Sequence, residues 1–215
     1  MLKNIVVIGG GGHGRSVIAL LKKIKEFKIL GYVDLQDRGE LMGAPWLGDD
    51  TALARLYSQG QCSAAVIGIG SVRADRTRQG IFDRVKKFGF ELPLVISPDA
   101  VVQEGVVLGE GTLVLDRAVV NCGVKLGAGV IINTGAIVDH DGDIGDFVHI
   151  APGAVLSGNV EVGRFSLIGT GASVIQNCRI AEDCTIGAGA AVVKDCLKSG
   201  VYVGCPARLR AIGGL

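Results

Sequence analysis

Two short stretches hold residues whose types and spacing could do chemistry. The first is GGGGHG over residues 9–14, in which Gly9, Gly11 and Gly14 have the G-x-G-x-x-G spacing. That spacing gives a tight strand-to-helix turn and brings main-chain N–H groups to a phosphate. His13 stands inside this loop. The second is DHD over residues 139–141, a histidine between two carboxylates. A carboxylate beside an imidazole orients it and raises its basicity, and a base with a pKa near neutrality suits removal of a proton from an attacking amine or hydroxyl. His13, His140 and His149 are the only three histidines of the chain, and the pattern leaves all of them within reach of a ligand.

The elements that must position the first stretch alternate strand and helix. NIVVIG (4–9) reads as a buried strand and GRSVIALLKKIKEF (14–27) as a helix with its lysines outward. KILGYVD (28–34) is a second strand ending in Asp34, followed by a capped helix at 49–60, a strand at 63–70, a helix at 72–89 and a last strand, ELPLVI. The alternation predicts a small parallel α/β unit over residues 1–95.

From residue 96 the period becomes six. Positions 96, 102, 108 and every sixth thereafter to 192 are Ile, Val or Leu, seventeen in a row, and four residues after each stands a small or modest side chain. A helix repeats every 3.6 residues and a strand every two, whereas six is the period of a hexapeptide parallel β-helix. Three hexads close one triangular coil, so the seventeen hexads should form between five and six coils within a β-helix unit over residues 96–215. His140 follows the inward Val138 by two residues and so falls at or near a corner, facing out. His149 lies half a coil away, so one chain does not bring the two rings together. Trimerisation about the prism axis would cover the flat outer faces that short strands leave exposed.

Composition narrows the function classes. A formal net charge of +1 with 20% charged residues gives neither a basic field for nucleic acid nor an acidic tail. The 34 glycines stand with 48% hydrophobic residues, which points to a glycine-punctuated regular fold rather than disorder. The apolar run near the start is too short for a signal peptide and no segment is long enough to span a membrane, so the expected location is the cytoplasm. Six cysteines without a C-x-x-C pair argue against a metal site, and Cys178, Cys184 and Cys196 fall on inward positions where packing explains them.

The segments GGGGHG, GYVD, AVIGIGS, NTGAIVDHD, FVHIAPGAVLSGNVEVG, IGAGAAVVKD and VGCPAR together resemble the nucleotide-sugar acetyltransferases related to sialic acid O-acetyltransferases and to the enzymes that N-acetylate UDP-linked 4-amino-4,6-dideoxy sugars. The resemblance covers essentially the whole chain. It implies a Rossmann-like α/β nucleotide-sugar domain followed by a left-handed parallel β-helix, a homotrimer with acetyl-CoA between adjacent β-helices, and a role in bacterial surface polysaccharide or glycan biosynthesis. It implies His140 as general base with Asp141 as its supporting carboxylate, Asp139 being the alternative. It places His149, Gly169, Thr170, Gly187 and Ala188 at acetyl-CoA, with Lys194, Arg208 and Arg210 as candidates for the coenzyme phosphates. The nucleotide sugar would be held by Gly11, Gly12, His13, Asp34, Leu35 and Gly70. The expected reaction is direct acetyl transfer to a sugar 4-amino group, without a metal and without an acyl-enzyme at Cys122.

Three other readings fit parts of the sequence. Gly9, Gly11, Gly14 and an acidic residue twenty positions on, Asp34, also suit an NAD-binding enzyme, although about 95 residues are few for a two-half dinucleotide fold. A β-helix can serve as a non-catalytic trimeric scaffold. Transfer to the hydroxyl of sialic acid or a related sugar would use the same base.

Overall fold

The computed structural model describes residues 2–210. They form two compact units: one comprises the chain up to Gly70 together with Thr77–Pro98, the other Ser71–Arg76 together with the chain from Asp99 onward.

The first unit is a three-stranded parallel sheet in the order β2-β1-β3, with β1 at Lys3–Ile8, β2 at Phe27–Val33 and β3 at Ala64–Ile67. Strand β1 is central, and Ile5, Val6 and Val7 are wholly buried, as expected where helices cover both faces of a parallel sheet. Its helices are α1 (Gly12–Leu21), α2 (Thr51–Ser58) and α3 (Thr77–Lys87). Val6, Ile8, Leu53, Leu56, Val85 and Phe90 share one core.

Three expectations are corrected here. Helix α1 stops at Leu21 rather than Phe27, because Lys23 and Ile24 close tight turns onto Leu20 and Leu21 and the chain must enter β2 at Phe27. Helix α3 starts at Thr77 rather than 72, since Ser71–Arg76 packs with the second unit. The last strand shrinks to a single bridge from Glu91 to Ala64 and a two-residue strand, β4 (Val95–Ile96). Pro93, which has no N–H to give a ladder, interrupts what lies between. The cap of α2 is supplied by Asp49, whose carboxylate accepts from the Thr51 N–H (2.9 Å) and hydroxyl (2.6 Å).

The second unit is a parallel β-solenoid of two-residue strands. Ile132 pairs with Val114 below and Ile150 above, Val138 with Val120 and Leu156, and Ile144 with Leu126 and Val162, each eighteen residues apart. These strands build the three faces of a prism. The sixth-position aliphatics fill it: Val120, Ile132, Ile150, Leu156 and Ile168 are wholly buried. Each such side chain contributes roughly 1.5–3 kcal/mol by leaving water. Between strands the chain turns with one residue in the left-handed region. Gly takes this place at 123 and 135, and Asp141, Phe147, Asn159, Phe165 and Asn177 adopt it without being glycine. The stack ends in Gly200–Val203, which pairs antiparallel with Arg208–Leu209.

The cysteines divide by position. Cys178, Cys184 and Cys196 are buried, Cys122 and Cys205 are exposed, and all are free thiols. Burial, with the neighbouring thiols adding to it, pushes Cys196 up to about 11, so it stays protonated and acts as a packing group. Among the described residues, no helix is long and apolar enough to cross a membrane, and no group of His, Cys, Asp or Glu is placed to hold a metal ion.

Candidate active site

His140 lies on a solenoid corner, in the turn after the Ile137–Val138 strand, with just over half of its side chain exposed. The next residue, Asp141, has φ of 57°. That left-handed step folds its carboxylate back beside the ring, and Asp141 Oδ2 lies 2.9 Å from His140 Nδ1. An ionised carboxylate only accepts, so Nδ1 carries the hydrogen and Nε2 keeps the lone pair that a general base needs. The bond to Asp141, reinforced by the charges of Asp139 and Asp141, holds the imidazole pKa above its usual 6.5.

Asp139 has a different task. Its Oδ1 accepts from Asn121 Nδ2 at 2.7 Å and from the main-chain N–H of His140 at 2.8 Å. Those bonds, the His140 N–H first, hold its carboxyl below the usual range. Asp139 therefore fixes the backbone of the corner, whereas the ring itself is paired with Asp141.

Two residues without side chains complete the corner. Gly158 is one coil above His140, and a Cβ there would fall on the imidazole, within 2.5 Å of Cε1. Gly123 is one coil below Asp141 (φ 72°), where a Cβ would meet Asp141 Oδ1 at 2.5 Å. Neither glycine stands out in the sequence, yet the eighteen-residue offset from His140 and from Asp141 is a signal that finds both.

His149 is placed otherwise than expected. It is 5% exposed, in the strand His149–Ile150, and its own chain occupies both ring nitrogens. Ser71 donates its N–H to Nδ1 (3.2 Å), and Asn133 Nδ2 lies 3.0 Å from Nε2. Ser71 begins a segment fastened to the solenoid at two further points. The Ala74 N–H donates to Thr185 Oγ1 at 2.9 Å, and Arg76 makes two bonds to Asp183, at 2.7 and 3.0 Å, with its guanidinium over the Phe165 ring. The sequence reading drew this segment into a helix and so missed what it covers.

Thr170 and Ala188 stand on successive coils of one corner, both exposed. The Gly189 N–H donates to Thr170 O at 2.9 Å. Gly169 and Gly187 beside them have a local reason to lack side chains. A Cβ on Gly169 would meet Ile186 O at 2.6 Å and Ala188 N at 2.7 Å, and one on Gly187 would meet Val203 at 2.8 Å. The stacking of the coils thus requires both glycines whatever lies on the surface. Arg208 and Arg210 are exposed near the end of the stack, and Lys194 is exposed on its final coil.

In the α/β unit, Gly11 and Gly12 are exposed at the start of α1, whose first turn has no side-chain cap and leaves N–H groups available to an anion. Gly14 is required by packing, because a Cβ there would overlap the carbonyl of Gly9. His13 is half-buried on this first turn, and burial, then the charge of Arg78, lowers its pKa to about 4. It is therefore a neutral imidazole at pH 7. Arg78, 4% exposed, escaped sequence reasoning because an arginine in a helix ordinarily faces water.

Asp34 follows β2. Its Oδ2 accepts from the Gly10 N–H (2.7 Å) and Arg38 Nε (3.3 Å), and its Oδ1 from the Gln36 N–H (3.1 Å). Burial pushes this carboxyl up, but the donors outweigh it and hold it below the usual range. Asp34 and Leu35, with Ile69, Thr77, Asp50 and Arg84, line a cavity of about 630 Å³ at the carboxyl ends of the strands. Ligands of open parallel sheets bind in that place. Gly70 ends the first of the two stretches that make up this unit and is half-buried.

A hexapeptide solenoid carrying an exposed, carboxylate-paired histidine, joined to a small parallel α/β unit with a glycine loop, defines a β-helix acyltransferase with an N-terminal nucleotide-binding unit. Residues 4–85 match the model of the PglD N-terminal domain. A perosamine N-acetyltransferase variant from Caulobacter crescentus, solved with CoA and GDP-perosamine, superposes with a TM-score of 0.92 at 37% identity over 98% of each chain. The acetyltransferase domain of PglB from Neisseria gonorrhoeae gives 0.91 at 37% identity, over 97% of this chain and 100% of that one. A UDP-N-acetylbacillosamine N-acetyltransferase of Bacillus subtilis is 32% identical over 115 residues, 53% of this chain and 52% of that protein, so the chain spans about half the length of that curated relative in the match. The chain belongs to the PglD-like family of sugar N-acetyltransferases.

Proposed function

We propose that the protein transfers an acetyl group from acetyl-CoA to the 4-amino group of a nucleotide-linked 4-amino sugar, in glycan biosynthesis. The observation that carries this reading is the His140–Asp141 pair. Its proton-bearing nitrogen is fixed by a carboxylate 2.9 Å away, and the other nitrogen lies on a solvent-facing corner. The relatives named above support the substrate classes, since one was solved with CoA and GDP-perosamine.

In this mechanism His140 Nε2 takes a proton from the amine as its nitrogen attacks the thioester carbonyl. The new C–N bond forms, the C–S bond breaks, and the thiolate of coenzyme A takes up a proton as it leaves. Asp141 stabilises the imidazolium formed in between. An amine is a competent nucleophile once neutral, so Cys122 need form no acyl-enzyme. Thr170 and Ala188 would border the coenzyme through main-chain groups. Gly11, Gly12 and His13 would hold the acceptor's diphosphate, and Asp34, Leu35 and Gly70 its nucleoside end. His13, being neutral, would give one N–H rather than a charge. The expected assembly is a homotrimer in the cytoplasm.

The test is thiol release from acetyl-CoA with GDP-linked and UDP-linked 4-amino sugars, beside free sialic acid. Release with a nucleotide-linked amino sugar is expected. Release with sialic acid alone would move the reading to O-acetylation, and release with neither would remove it. Light scattering checks the trimer.

A further inference from the structure

The cavity at the carboxyl ends of β1, β2 and β3 contains an ion pair that the acetyl-transfer chemistry does not use. Arg84 on α3 lies with Nη1 2.6 Å from Asp50 Oδ2, just before α2, and both residues line the cavity. The rest of the wall includes Ile8, Val33, Ile69 and Ile81, apolar surfaces suited to the faces of a planar base. Asp34 also lines it, but both of its carboxylate oxygens are engaged by Gly10, Gln36 and Arg38. Asp50 and Arg84 are thus the charged groups left to meet the edge of a base.

We infer that Asp50 and Arg84 select guanine over uracil in the nucleoside diphosphate that carries the sugar, an inference that rests on the proposed nucleotide-sugar acceptor. The reason lies in the base edges. Guanine presents two adjacent donors, N1–H and N2–H, beside the acceptor O6. A carboxylate next to a guanidinium offers the complement, two acceptor oxygens and then a donor. Uracil has one donor, N3–H, flanked by two carbonyls. Against the same pair, one carboxylate oxygen would face a carbonyl and remain unsatisfied. A site built for a donor rejects the base that lacks it, because its own polar group is then left without a partner. A single ion-pair contact leaves both groups with capacity to spare, since a carboxylate accepts at about four sites and a guanidinium has five N–H groups.

Calorimetric titration of the full-length protein with GDP and with UDP tests this. GDP is expected to bind at least about tenfold more tightly, in line with the roughly 1–3 kcal/mol that one bidentate base contact discriminates. Asp50→Asn presents an amide N–H to the guanine donors and, to uracil, a donor for the carbonyl that the carboxylate left unsatisfied, so it should bring the GDP-to-UDP ratio toward one by weakening GDP without weakening UDP. Arg84→Gln weakens a contact that guanine O6 and a uracil carbonyl share, so both nucleotides should bind less tightly and GDP should stay ahead, with the circular dichroism spectrum confirming both folds. Tighter binding of UDP, or a ratio that folded Asp50→Asn leaves unchanged, overturns guanine selection and leaves the nucleotide-sugar reading intact. Saturable binding of neither nucleotide overturns both.

Discussion

The imidazole of His140 lies against Gly158, which stands one coil above it, in space that a side chain at 158 would need. Gly158 is outside the left-handed region, so alanine meets no backbone penalty there and the whole effect of the change is steric. With more than half of its side chain in solvent, His140 can swing away, but in doing so it loses the bond to Asp141. Gly158→Ala is therefore expected to reduce kcat at least tenfold while moving Tm by no more than a few degrees. Steady-state thiol release and thermal melts check this, and a variant with unchanged kcat would show that the ring needs no such seat.

Replacing His140 by Ala removes the base itself, and kcat should fall by about a hundredfold or more. Asp141→Asn keeps the ring but removes the carboxylate that raises its pKa. A base works only when unprotonated, so kcat/KM falls as pH drops through its pKa. Lowering that pKa moves the acid limb to lower pH. The variant should thus show a lower plateau together with an acid limb displaced downward in the pH–rate profile. An acid limb that stays in place would mean that another group titrates there.

How far these features were legible in the sequence depends on the distance over which each is determined. The hexads are local, and the period of six implies the solenoid, its inward positions and the exposed corner for His140. The partner of that ring was legible only through the family resemblance, which favoured Asp141, because Asp139 and Asp141 flank it equally in sequence. What separates them is the left-handed φ at Asp141 and the capture of Asp139 by Asn121, eighteen residues away. The Nδ1 of buried His149 is bonded by Ser71, 78 residues distant, and no periodicity announces such a contact. In the α/β unit the glycine spacing identified the turn, but not which glycines serve packing. Gly14 lies against Gly9, whereas Gly11 and Gly12 have open space where a side chain would go.

The segment Ser71–Arg76 offers a test of what keeps His149 covered. Its end is fixed by Arg76 through two bonds to Asp183 and by the Phe165 ring. Arg76→Ala should loosen it, and the amide protons of Ser71 and Ala74, now bonded to His149 and Thr185, should exchange several-fold faster. Hydrogen exchange read by mass spectrometry gives the answer, and unchanged rates would show that the segment is held without the ion pair.

His13 connects pH to stability through the sign of its shift. Its folded pKa, near 4, lies below the usual 6.5, so as pH falls the unfolded chain takes up the proton first. The stabilising effect of keeping the ring neutral is full above about pH 6.5 and is lost as pH falls toward 4. At about 1.36 kcal/mol per unit, the loss reaches roughly 3 kcal/mol at the lower end. Urea unfolding at pH 7.5 and pH 5 should therefore show a steeper fall in stability for the wild type than for His13→Gln, which has no proton to take up. The same substitution should raise KM for the nucleotide sugar more than KM for acetyl-CoA, because a neutral imidazole on the first turn of α1 would bind the acceptor and take no part in the transfer. Equal pH slopes in the two proteins would show that the ring is solvated in the folded state, and an equal rise in both KM values would remove His13 from the acceptor.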